Sequence, residues 1–142
     1  MDAIYQSSTD VRNNFSSTID KAIYERPQFI KRTRDYAVLL STDILSSVLS
    51  GMRLHYNIAK EEDGTFVLSC IEMDDIIACG KTEDDAKDDM ADQLQEYAEE
   101  YYNEFVLYSR SPNRKDHLPY ILRILTLRSK EQIKEILYSL AV

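Results

Sequence analysis

Two periods of apolar and polar positions run along this chain, and the change from one to the other marks its principal elements. Glu61-Glu62-Asp63-Gly64 predicts a tight turn whose glycine is free to take positive φ. Thr65 to Ile71 then alternates, with Phe66, Leu68 and Cys70 on one face and Val67, Ser69 and Ile71 on the other, which predicts a strand. Ile76-Ile77-Ala78-Cys79 predicts a further short strand, closed by Gly80. Thr82 stands as an N-cap before Glu83-Asp84-Asp85, acids in a first turn where the helix dipole favours them. Ala86, Met90, Leu94, Tyr97, Tyr101 and Phe105 recur at three to four residues, predicting a long helix with one apolar stripe. Its opposite face is almost wholly Asp and Glu.

Ahead of this stretch, Ala3 to Gln6 reads as a strand, and Ser7-Ser8-Thr9-Asp10 caps a helix with Val11, Phe15, Ile19, Ala22 and Ile23 on one face. Pro27 ends that helix. Gln28 to Lys31 and Tyr36 to Leu40 are strand-like runs joined by the hairpin Arg32-Thr33-Arg34-Asp35. Ser41 and Thr42 cap a short helix bearing Ile44, Leu45, Val48 and Leu49, which Gly51 can terminate. Leu54 to Lys60 is the first strand of a second unit, joined to the first by no Gly/Ser- or Pro-rich linker. After Phe105, Val106-Leu107-Tyr108 lead into a basic, turn-rich loop from Ser109 to Asp116, and residues 118–127 fit a helix or a strand. Ser129-Lys130-Glu131-Gln132 has capping-box spacing, and Ile133, Ile136, Leu137 and Leu140 predict a terminal amphipathic helix. The fold class expected is α+β. A β-α-β-β-α domain over residues 1–51 precedes a second domain over 52–142, with a β-hairpin and sheet, a long acidic helix and a C-terminal helical extension.

Charge changes the picture. The net charge of −8 argues against a nucleic-acid binder, but its distribution does not. Residues 61–100 carry two Lys against fifteen Asp and Glu, whereas residues 1–50 balance six basic against six acidic groups and cluster Lys31, Arg32 and Arg34 at the hairpin. That division suggests two functions on one chain. Cys70 and Cys79 lie in apolar strand-like runs and read as two buried thiols of a cytosolic protein. His55 and His117 are isolated from each other and from Cys, so polar roles are expected and no metal site or cofactor. Met1 to Tyr5 hold no basic segment or long apolar run, so no signal peptide is expected; no stretch of the chain approaches the roughly 18 apolar residues of a membrane span, and the location expected is cytoplasmic.

The first segment resembles the DNA-binding half of Phd/YefM-type antitoxins. Ser8-Thr9-Asp10-Val11-Arg12-Asn13-Asn14-Phe15 follows their opening-helix pattern, Pro27-Gln28-Phe29-Ile30-Lys31-Arg32 their Pro-x-x-Ile-x-Arg strand, and Ala37-Val38-Leu39-Leu40-Ser41 their strand-to-helix step. The resemblance implies a dimer that grips operator DNA, with Arg12 and Arg32 at the matching positions. Asn13, beside Arg12, joins the candidates. Lys31 and Arg34 join them on physical grounds, since a basic hairpin can follow a phosphate backbone, and Arg12, read as lying in the first helical turn, sits near unpaired N–H groups. Residues 53–107 resemble the HicB-like antitoxin module, a ββ(β)αβ unit described as a reduced ribonuclease-H-like fold. Tyr56-Asn57-Ile58-Ala59, the Glu62–Val67 hairpin, Ile77–Thr82 and Glu83-Asp84-Asp85-Ala86 carry that likeness, although Glu72-Met73-Asp74-Asp75 lacks the family's Pro and Gly.

Together these resemblances imply a type II antitoxin and autorepressor that masks a HicA-like or other basic ribonuclease toxin. The candidate toxin-binding residues are Asp84, Asp85, Asp88, Asp89 and Asp92 of the acidic helix; simple solvation of that face is the plainer reading. Two rivals stand beside the antitoxin. A two-metal nuclease would need carboxylates from several strands, and these five lie on one helix, so no catalytic residue is expected. A stand-alone DNA-binding regulator with a ligand-sensing or oligomerisation domain is the alternative. The apolar C-terminal end can pack on its own domain, on a dimer mate or on a toxin.

Overall fold

Ser7 is where the N-terminal chain turns from strand to helix. The computed structural model describes residues 2–140. After a 3-10 turn at Asp2–Ile4, β1 spans Tyr5–Ser7, and the Ser7 hydroxyl accepts the Asp10 N–H at 3.1 Å to cap α1, Ser8–Asn13. The single helix expected here is in two pieces. Asn14, at φ −130°, turns its N–H back to the Asp10 and Val11 carbonyls, and α2 restarts over Phe15–Tyr24. Arg12 therefore stands in the last turn of α1 and not in the first. Strand β2, Gln28–Arg32, runs parallel to β1 and antiparallel to β3, Asp35–Leu39, giving the order β1-β2-β3. Arg32 pairs with Asp35, leaving Thr33-Arg34 as the turn, with Thr33 in the left-handed region at φ 56°. Ser41 accepts the Ile44 N–H to cap α3, Thr42–Val48.

The chain divides into two compact units, residues 1–47 and 48–142. Among the described residues the first unit buries only Val11, Thr18, Ala22 and Gln28. Gln28 keeps its polar head satisfied, accepting from Gln6 and donating to the Arg26 carbonyl.

The second unit holds the core. Strands β4 (Leu54–Lys60), β5 (Phe66–Cys70) and β6 (Ile77–Gly80) form an antiparallel meander. Gly64 takes φ +90° in the β4–β5 turn, where Asp63 accepts the Thr65 N–H at 2.9 Å, a bond that lowers the Asp63 pKa. Thr82 accepts the Asp85 N–H at 3.0 Å and opens α4, Glu83–Asn103. Ala86, Met90, Ala91, Leu94, Ala98 and Tyr101 of α4 are buried with Leu54, Tyr56, Leu68 and Cys70 of the sheet. Tyr56, though buried, donates its hydroxyl to Glu83 at 3.3 Å.

Past α4 the structure departs from the pattern read along the chain. The long helix does not continue through Phe105. It ends at Asn103, and Val106-Leu107-Tyr108 belong to a short helix, α5, Phe105–Arg110. A 3-10 turn at Lys115–His117 leads to α6, Leu118–Thr126, which resolves the ambiguous run as helix. Arg123 of α6 donates to the Ser50 and Met52 carbonyls at 2.9 and 2.6 Å, fixing the approach to β4. Ser129 caps α7, Lys130–Glu135, but the expected terminal helix stops there. Leu137–Ser139 instead form β7, parallel to β4, giving the sheet order β6-β5-β4-β7. The edge of β4 needs backbone partners, and pairing also buries Leu137. No helix among the described residues is long and apolar enough to cross a membrane.

Gly80 is the closest point between sheet and helix. A Cβ there would lie 2.7 Å from the Asp85 carbonyl carbon and closer still to the Ala86 amide nitrogen, both backbone atoms. Gly80→Ala is expected to destabilise the protein by about 2 kcal/mol or more, read as a lower urea midpoint.

Candidate functional site

The basic residues of the first unit gather at one end of its sheet. Ser7 pairs in register with Lys31, so the N-terminus of α1 emerges beside the end of β2. Arg32 and Arg34 are exposed at the hairpin tip, and the Lys31 ammonium lies 5.4 Å from the centre of the Tyr36 ring. Arg12 and Asn13, also exposed, stand about one helical turn further on, since the four steps from Ser8 to Arg12 rise only about 6 Å. A shallow cleft of about 350 Å³ lies between β1 and the β2–β3 hairpin, lined by Tyr5, Gln6, Ser7, Lys31 and Thr33.

In the second unit the acids of α4 have partners within the chain. Lys134 of α7 reaches Asp84 at 3.0 Å and Asp88 at 2.7 Å, and Lys130 reaches Asp92 at 3.0 Å. The hydrogen bond to Lys134 is the main cause of the lowered Asp88 pKa, and Asp88 and then Asp84 raise that of Lys134. Asp89 accepts the Cys79 N–H at 3.0 Å, and Gln93 donates to the Ile77 carbonyl at 2.9 Å. These two side chains occupy the outward backbone groups of edge strand β6. Asp85 gives its backbone N–H to the Thr82 cap and leaves its carboxylate exposed. The lysines were missed on sequence, although their spacing of four puts both on one face of a helix.

A polar and aromatic cluster, also unread in the sequence, lies where the second half of α4 meets the 3-10 turn. The Arg114 guanidinium lies 4.4 Å from the Tyr108 ring centre and 5.5 Å from that of Tyr97. Tyr101 donates to the Arg114 carbonyl, Tyr108 donates to Glu100, and Tyr97 Oη is 2.7 Å from His117 Nδ1. Of the two histidines, His117 is buried and its pKa is lowered, chiefly by that burial. His55 bonds to Glu72 through both its backbone N–H and its ring, at 2.6 and 2.8 Å. Cys70 is buried with its thiol pKa raised by burial, but Cys79 is exposed, contrary to the reading of two buried thiols, because period-two alternation in β6 turns Cys79 and Ile77 outward. Among the described residues no group of His, Cys, Asp and Glu could hold a metal ion.

The fold and these surfaces have a counterpart among known proteins. The chain belongs to the PHD-like family described as antitoxin of toxin-antitoxin, RelE / RelB, TA system, whose model matches residues 3–139 and so spans both units. It is similar to a crystal structure at 1.80 Å of the antitoxin part of a candidate toxin/antitoxin system from Syntrophomonas wolfei subsp. wolfei. The two share 32% identity at a TM-score of 0.88, over 95% of this chain and 96% of that one. None of the curated proteins matches the chain. This is an antitoxin of a toxin-antitoxin system, and a cognate toxin is the partner the family implies.

The His117 pKa is depressed in the fold, so the unfolded chain binds the proton first as pH falls. That contribution to stability is present above about pH 6.5 and is lost progressively as pH falls toward the folded value. Urea titrations at about pH 7.5 and about pH 5.5 are expected to show a larger loss of stability for the parent protein than for His117→Gln.

Proposed function

We propose that this antitoxin is of the type II class: a homodimer whose first unit binds operator DNA and represses its own operon, and whose second unit covers a basic ribonuclease toxin. Its action is binding and occlusion, not catalysis. The observation that carries the reading is the segregation of charge. The segment from Glu61 to Glu100 has fifteen acids against two lysines, while Lys31, Arg32 and Arg34 gather at one hairpin of the other unit. An acidic surface raises the encounter rate with a basic RNA-handling protein and repels nucleic acid, so the two partners are sorted by unit.

The functional domains proposed are residues 1–51, Phd/YefM-like, and residues 52–142, HicB-like. A parallel β1–β2 pair with an antiparallel β3 supports the first, and a three-stranded meander followed by a long helix and a returning strand supports the second. Dimerisation through the first unit is supported by how little it buries. Phe15, Ile23, Tyr24, Tyr36 and Val38 are all exposed in a unit of 47 residues, too much apolar surface for so small a core to stand alone. Arg12, Asn13, Lys31, Arg32 and Arg34 are the DNA contacts proposed, with the exposed N-terminus of α1 adding N–H groups toward phosphate. In the acidic helix, Asp85 and the still exposed Asp84 supply steering charge, while Asp88, Asp89 and Asp92 divide their role between the fold and the partner. A HicA-like ribonuclease fits this chemistry as the toxin.

Arg12→Ala combined with Arg32→Ala is expected to weaken binding to a DNA fragment upstream of the gene by roughly 10- to 100-fold and to reduce the salt slope by about two. Toxin neutralisation should be unchanged. Asp84→Lys with Asp85→Lys should leave DNA binding intact and slow toxin association by about tenfold. Loss of both activities from either pair, in a chain that still folds, would contradict the division of labour.

A further inference from the structure

We infer that the corner where α4 passes into α5 is the anchor of the toxin-binding surface, and that it takes a basic protein face bearing an apolar contact. The inference rests on the antitoxin reading and specifies which part of the second unit holds the partner. Tyr102, Val106 and Leu107 are 64%, 64% and 60% exposed within six residues of one another. Single exposed apolar side chains are ordinary on a protein surface; three large ones on one short segment mark a contact surface.

The corner is also built to hold its shape. Tyr108 and the partly exposed Phe105 set their rings against that of buried Tyr101, with ring centres 5.5 and 6.0 Å away. Arg114 lies over the Tyr108 ring at 4.4 Å, and Glu100 accepts the Tyr108 hydroxyl at 3.0 Å. Ser111 ties the end of α5 by donating to the Leu107 carbonyl at 2.7 Å. The outward side chains of α5 are thus presented by a fixed backbone, so little ordering entropy opposes binding.

Charge identifies the occupant. From Gln95 to Ser109 the chain carries Glu96, Glu99, Glu100 and Glu104 and no Lys or Arg, and Arg110, Arg114 and Lys115 come only after the exposed apolar residues. Among the described residues none of these four is in a salt bridge, whereas Asp84, Asp88 and Asp92 near the start of α4 are paired with Lys134 and Lys130. Glu96, Glu99, Glu100 and Glu104 thus lead into the apolar corner and outnumber Arg110, Arg114 and Lys115, which follow it. A second copy offers the same acid-rich face, so a partner whose own face is basic complements it better. A partner with Lys or Arg around an apolar contact meets both features at once.

The test uses the full-length protein and the purified product of the adjacent open reading frame, with binding followed by surface plasmon resonance. Val106→Glu with Leu107→Glu, and the milder Val106→Ser with Leu107→Ser, are expected to weaken binding by roughly 100-fold and roughly 10-fold, mostly through faster dissociation. Their thermal unfolding, oligomeric state and DNA binding should match the parent protein, and Ile77→Ser, at an exposed apolar site on edge strand β6, should bind normally. Parent-level binding by the folded serine variant, or a change of oligomeric state in either variant, would overturn the inference and leave the antitoxin reading standing. Failure of the parent protein itself to bind would remove that reading and this inference together.

Discussion

The close approach of α4 to its sheet is the constraint on which the second unit depends. Gly80 has no side chain because the α4 backbone at Asp85 and Ala86 occupies that space. Ala86 lets the helix start against the strands, and Met90, Ala91, Leu94, Ala98 and Tyr101 carry its buried stripe on through the core. A helix of 21 residues fixed at this distance presents a long acidic outer face whose position is set by the core. Both ends of that face are then determined: α7 lies against its first half, and the cluster around Tyr101 and Arg114 against its second.

The acidic residues of α4 serve different purposes along its length. Near the start they complete the fold, receiving Lys130 and Lys134, and Asp89 with Gln93 occupies the backbone groups that β6 would otherwise offer to another strand. Such protection matters in a protein whose function is to hold a partner, because it discourages unspecific strand pairing. Toward the end of the helix, among the described residues, no salt bridge holds the acids, and apolar side chains are exposed beside them. A surface of that composition supports fast encounter through its charge and slow release through its apolar contacts.

Much of the fold was legible in the sequence because its signals were local. The glycine of the β4–β5 turn, the Thr82 cap, the α4 stripe and the Thr33-Arg34 turn all follow from neighbouring residues, and the α+β class followed from their order. The departures came where distant groups decide the outcome. Asn14 interrupts a helix that apolar spacing alone would continue, because its N–H finds two carbonyls in the preceding turn. Leu137 to Ser139 has helical spacing with Ile133, yet it becomes a strand because β4, more than seventy residues earlier, offers an open edge. The site was legible as charge and not as partnership: the acids of α4 were evident, but their lysines and the position of Arg114 between two tyrosines needed the folded chain.

The most direct test of the antitoxin function is growth of cells expressing the adjacent open reading frame, alone and together with this chain. Growth arrest by the neighbour alone and recovery when both are expressed is the result predicted, with the two proteins recovered as one complex. A harmless neighbour, or an arrest that this chain leaves unrelieved, would contradict the pairing on which the toxin-facing role of the second unit is built.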